Sequence, residues 1–202
     1  MGELSERGDR RLQPYLERRV TEAVRAYDND RYRDALQLLA SVERRAPDVP
    51  AVLELTGLSL YRLGRWRQAI RRLEAFGRMT DSVDQLPVVA DCYRALGRLD
   101  QVERVWQDLR QASPGVEVLS EGRLVVAGAR ADGGDLQGAI SMLEAASSPV
   151  RHPRLHHIRQ WYALADLYER AGDLPRARRQ FAQILRHSPD AFDTPLRLAA
   201  LG

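Results

Sequence analysis

Lysine is missing from this chain: all 31 basic residues are arginine. Its absence removes Schiff-base lysines, lysine general bases and the lysine of a phosphate-binding loop. A G+C-rich coding sequence produces the same bias as selection for guanidinium forks on phosphate or carboxylate, so composition alone does not separate the two. Cysteine occurs once, at Cys92, which excludes an internal disulfide and argues against a zinc site. Asparagine also occurs once, at Asn29. No uninterrupted apolar run approaches the ~18 residues of a membrane helix. The opening residues 1–11 are charged and have no apolar core, unlike a secretory signal. The expectation is a cytoplasmic protein.

What is present is a chain able to pack. It is 44% hydrophobic and 29% charged, with a net charge of +3, which suits a folded core and not a disordered one. Order is clearest in residues 158–191. Trp161, Leu164, Ala165 and Tyr168 recur at spacings of three, one and three, which aligns them on one helix face. Gly172-Asp173 then breaks that helix with a residue that accepts positive φ cheaply. Leu174, Ala177, Phe181, Ile184 and Leu185 resume the helical spacing, and Ser188-Pro189 ends it. The spacing predicts a helix–turn–helix of about 34 residues.

The unit recurs along the chain. The small residues central to each second helix are Ala35, Ala69, Val102, Ala139 and Ala177, separated by 34, 33, 37 and 38 residues. Each follows a turn, at Asn29-Asp30, Gly64, Gly97, Gly134 and Gly172. Asn and Asp tolerate left-handed geometry next best after glycine, so the first turn is a mild departure. A helix start is expected at Gln13-Pro14. The fourth copy is the weakest, with Arg130 where an aromatic residue or leucine is expected. Pro149 and Pro153 forbid a continuous helix across residues 147–157.

This order of Trp, Leu-small, aromatic, Gly, Ala, aromatic and Pro resembles the tetratricopeptide repeat (TPR), nearly in full in the last copy and over about residues 16–191. Leu86–Gly97 and Val125–Arg130 are similar to segments of small actinobacterial TPR proteins of unassigned function. The resemblance implies an all-α, right-handed superhelical α-solenoid of about five repeats. The expected organisation is a polar lead-in or cap at 1–15, repeats near 16–49, 50–82, 83–116, 117–151 and 158–191, and a C-terminal capping segment at 192–202.

Chemistry is sparse. His152 and His156 are four apart, but Pro153 lies between them and Arg151 and Arg154 flank them, so a solvated loop is expected and no metal. Cys92, on an apolar helix face, reads as a small buried hydrophobe. Trp66, Trp106 and Trp161 fall at packing positions. Nothing nominates a nucleophile–base pair, a catalytic residue or a cofactor, so the expectation is not an enzyme.

In repeats of this type the first helices line a concave groove. The first-helix residues outside the packing stripe include Tyr27 and Asp28, then Glu54, Leu58, Tyr61 and Arg62, then Asp91 and Arg94, and last Arg159, Tyr162, Asp166, Glu169 and Arg170. They predict an acidic groove with tyrosine footholds. The second helices invert this, with Arg65, Arg67, Arg71, Arg72 and Arg78 against Glu74. The leading expectation is a protein-interaction scaffold or adaptor that holds a basic or amphipathic peptide in the groove. The alternatives are a nucleic-acid-associated or regulatory accessory role through the arginine-rich outer face, and self-assembly of groove on outer face.

Overall fold

A computed structural model of the chain describes residues 2–47, 49–147 and 150–202, with side chains from residue 13 onward. The side chains of the expected N-terminal cap up to residue 12, and Pro149 in the fourth copy, lie outside the described residues. The described residues form helices and turns and no strand. The chain divides into two compact units, Met1–Leu96 and Gly97–Gly202.

The first unit holds α1 (Gly2–Asp28), α2 (Tyr32–Glu43), α3 (Pro50–Arg62), α4 (Trp66–Thr80) and α5 (Leu86–Ala95). The second holds α6 (Leu99–Ala112), α7 (Val116–Asp132), α8 (Leu136–Glu144), α9 (Leu155–Arg170), α10 (Leu174–His187) and α11 (Thr194–Ala200). One expectation shifts here: α1 runs through Pro14 instead of starting at it. Proline's fixed φ is helical, so the ring fits at the cost of one backbone bond.

Every turn between paired helices carries one residue of positive φ. Asp30, Gly64, Gly97, Gly134 and Gly172 all have φ between 58° and 94°. Asp30 therefore carries the left-handed turn that glycine carries elsewhere. The next amide in each of four turns donates back to a carbonyl five residues earlier: Arg31 to Ala26, Arg65 to Leu60, Asp135 to Arg130 and Asp173 to Tyr168. This closes the exposed carbonyls of the first helix and fixes where the second begins. Asp135 and Asp173 then cap α8 and α10, accepting from the amides of Gly138 at 2.9 Å and Arg176 at 3.0 Å.

The small residues are the floor of the packing. Ala35, Ala69, Ala139 and Ala177 are fully buried, and Val102 nearly so. Two glycines let helices approach closely: a methyl group on Gly57 would overlap Leu73, and one on Gly122 would overlap Leu109. In the second unit the core runs from Ala127 and Leu143 through Trp161, Leu164 and Tyr168 to Phe181 and Ile184. Of the three tryptophans, Trp106 and Trp161 are buried, whereas Trp66 is half-buried and packs on the Tyr61 ring with centroids 5.5 Å apart. Cys92 is buried, and burial pushes its thiol up to about 12, with Asp91 adding to the shift.

Arg130 receives an explanation. The residue four before the turn glycine on three first helices bonds to a glutamate on the preceding second helix. Tyr93 donates to Glu74 at 3.1 Å, Arg130 to Glu103 at 2.7 and 3.1 Å, and Tyr168 to Glu144 at 2.5 Å. The guanidinium replaces the phenol in the same clasp and makes it bidentate. The departure from the repeat pattern is in side-chain type and not in role.

Candidate functional site

In the first unit the outward faces of α3 and α5 meet in a set of polar links. Tyr61 Oη donates to Asp91 Oδ2 at 2.7 Å, and Gln85 donates to Glu54 at 2.7 Å. Burial, and after it the bond to Asp91, raises the Tyr61 pKa above its ordinary value. Arg62 reaches Asp30 at 3.1 Å and lies 4.7 Å from the centroid of the Tyr32 ring. Tyr27 packs edge-on against Tyr32. Arg94 lies 3.7 Å from Asp91. Tyr27, Leu58, Tyr61 and Glu54 are partly exposed beside Asp28, which is exposed.

In the second unit the corresponding face of α9 is laced to its neighbours. Arg159 pairs with Glu121 of α7 at 2.5 Å, and Arg170 lies 3.7 Å from Asp132. On the other side α11 supplies Arg197. Its guanidinium donates to Asp166 at 2.9 Å, to Glu169 at 2.8 and 3.1 Å, and to Tyr162 at 3.1 Å. Burial acts to lower the Arg197 pKa, but the bonds to Glu169 and Asp166 outweigh it and hold it above its ordinary value. Tyr162 in turn donates to Asp193 at 2.5 Å and packs on Phe192.

Residues that the pattern placed outside the packing stripe are therefore not unengaged. Tyr162, Asp166 and Glu169 are held by the chain's own Arg197, and each α9 arginine meets an α7 acid. Three signals were missed by the sequence: Arg197, Asp193 and the buried His156. Arg197 sits one turn into a proline-started helix, but only packing of α11 on α10 brings its side chain to the acids of α9. His156 is the second residue of α9 and is 8% exposed, so it does not belong to a solvated loop. Its ring lies 3.9 Å from that of His157, whose Nδ1 accepts the Arg154 amide at 3.0 Å and caps the helix. Burial, with His156 beside it, lowers the His157 pKa.

The second helices differ. Arg65, Arg67, Arg71 and Arg78 are exposed and make no ion pair among the described residues, while Arg72 pairs with Glu43 of α2. Arg67, Arg71 and Arg78 fall within a narrow stripe of α4, because steps of four and seven residues return to nearly the same angle. Exposed cations without an ion pair thus gather along α4, whereas the α9 arginines are paired.

Helical hairpins stacked on their neighbours, with polar side chains ranked along the first-helix faces, define a helical-repeat interaction scaffold. Residues 17–130 match the family model of the Psidin N-terminal TPR repeats region, and residues 158–201 match the tetratricopeptide repeat. The chain belongs to the tetratricopeptide-repeat family. Solved structures share the fold. A thermophilic TPR protein of Thermus thermophilus is 23% identical with a TM-score of 0.71, covering 92% of this chain and 98% of that one. A TPR protein of Parabacteroides merdae is 16% identical, TM-score 0.69, covering 92% and 70%. A chain of the APC/C hetero-tetramer Cut9-Hcn1 is 13% identical, TM-score 0.69, covering 92% and 36%. Comparison with curated protein sequences gives no match. Tetratricopeptide repeats mediate protein–protein interaction, and their proteins are typically non-enzymatic scaffolds. Among the described residues no helix is long and apolar enough to cross a membrane.

Proposed function

We propose that this protein is an adaptor whose first-helix faces hold an arginine-bearing, amphipathic helix of a partner protein. One observation carries the reading. The face of α9 already takes an arginine from a helix, since α11, which packs on α10, sends Arg197 to fork across Asp166 and Glu169 and lie against Tyr162. The residue types that seat Arg197 occur in the first unit too, where Glu54, Asp91, Tyr27, Tyr61 and Leu58 are all partly exposed. Tyrosine and leucine contribute apolar contact, and the carboxylates set orientation and association rate. The neighbour solved as a Cut9-Hcn1 assembly illustrates that this fold supports a stable protein partner.

Panning a random peptide library on the protein tests it. Peptides combining arginine with leucine or an aromatic residue at helical spacing should be enriched, and Glu54→Arg with Asp91→Arg should abolish their capture. Enriched peptides whose capture survives both reversals would sink the assignment.

A second reading rests on the exposed stripe Arg67, Arg71 and Arg78, which suits a polyanion such as nucleic acid. Binding of that kind weakens steeply with salt, and a gel shift with no complex even at low salt would remove it. Groove-on-face self-assembly finds less support, because Arg197 already engages Asp166 and Glu169 of α9, while Arg159 and Arg170 engage Glu121 and Asp132 of α7.

A further inference from the structure

The seam between α6 and α7 has an internal register. Leu99 lies against Gly133, Glu103 meets Arg130, and Leu109 lies against Gly122, so numbers rise on one helix as they fall on the other. Moving seven residues, two helical turns, from the Glu103–Arg130 pair along both helices arrives at Arg110 and Arg123. The first position holds an acid facing an arginine. The second holds two arginines.

Neither Arg110 nor Arg123 makes an ion pair among the described residues. Arg123 is half-buried, with its guanidinium 5.9 Å from the centroid of the Trp106 ring. Arg110 is exposed at the rim and, with Gln107 and Gln111, lines an open recess. Burial pushes the Arg123 pKa below its ordinary value, and Arg110 adds to it. A half-buried cation beside a like charge lacks an anion, and the same seam shows two turns away which anion an arginine there accepts: a carboxylate, taken bidentately.

We infer that the Arg110–Arg123 pair, beside the recess that Arg110 lines, is a binding site for the carboxylate of a partner protein's acidic side chain, seated as Glu103 is seated on Arg130. Gln107 and Gln111, which line the recess with Arg110, carry amide donors for its remaining lone pairs. This site does not rest on the first-helix reading, since it lies between a second helix and the next first helix and has the opposite charge preference.

Thermal unfolding with and without a hexaglutamate peptide, beside sodium sulfate at matched ionic strength, tests it. One-site linkage at about ten times the dissociation constant gives the wild type a midpoint rise of about 3–6 °C with the peptide and less with sulfate. Arg110→Glu should raise the midpoint without ligand, by supplying the missing acid, and lose the peptide response. Arg123→Gln should lose the response as well, whereas Arg104→Gln, an exposed arginine elsewhere on α6, should keep it. An unchanged response in both Arg110→Glu and Arg123→Gln overturns the inference. So does a sulfate effect equal to the peptide's, which marks an inorganic anion only.

Discussion

Replacing Arg197 with alanine isolates the contact that ties α11 to α9. Its guanidinium makes four hydrogen bonds, two to Glu169 and one each to Asp166 and Tyr162. Hydrogen bonds to charged groups contribute about 1.5–3 kcal/mol when well enclosed. Here the arginine side chain is 24% exposed and the two acids 37% and 34%, so solvent screens the pairs and the carboxylates rehydrate once it is gone. A net loss of about 1–2 kcal/mol follows, with roughly 0.5 kcal/mol more from the guanidinium lying 5.2 Å from the Phe181 ring centroid. A helix of seven residues does not persist alone, so the loss appears as local opening of α11 and not as global unfolding. Amide exchange across residues 194–200 should therefore accelerate about 10–70-fold while exchange in the α9 centre changes little. Arg197→Lys should restore only part of the protection, since an ammonium is a point donor and does not span both acids. Unchanged α11 exchange in Arg197→Ala would refute the assignment of Arg197 as the tie, and equal acceleration in α9 would refute the local character of α11.

Other consequences are accessible to simple measurements. Gly122→Ala places a methyl into Leu109 and should destabilise by about 1–3 kcal/mol in urea melts, because the fully enclosed Leu109 side chain must shift to admit it. Tyr168 is pushed up to about 12 by burial and by its bond to Glu144, so the fold favours the neutral phenol. That contribution is complete below its ordinary value near 10 and disappears as pH rises through about 12; Tyr168→Phe should flatten the fall in stability over that window. Cys92, raised to about 12 from 9.0, should react with a thiol reagent at pH 8 roughly a thousandfold more slowly than an exposed cysteine, and a fast reaction would contradict its burial.

The repeat was legible because it rests on local chemistry. A residue able to take positive φ, a small residue five places on and apolar steps of three and four suffice to predict a hairpin, and Asp30 took the glycine conformation as its side chain allows. Tertiary structure decided what the polar residues do. Arg130 looked like a defect because its partner, Glu103, lies on another helix, and sequence spacing carries no information about pairs so formed. His156 looked like a loop residue until α9 began at Leu155 and turned its ring inward. The acids of α9 looked available until α11 folded back with Arg197 between them. Sequence by itself determined the helices, their turns and their apolar stripes, since each depends on neighbours within a few residues. Which charges are cancelled within the chain was settled only when helices far apart in sequence packed side by side.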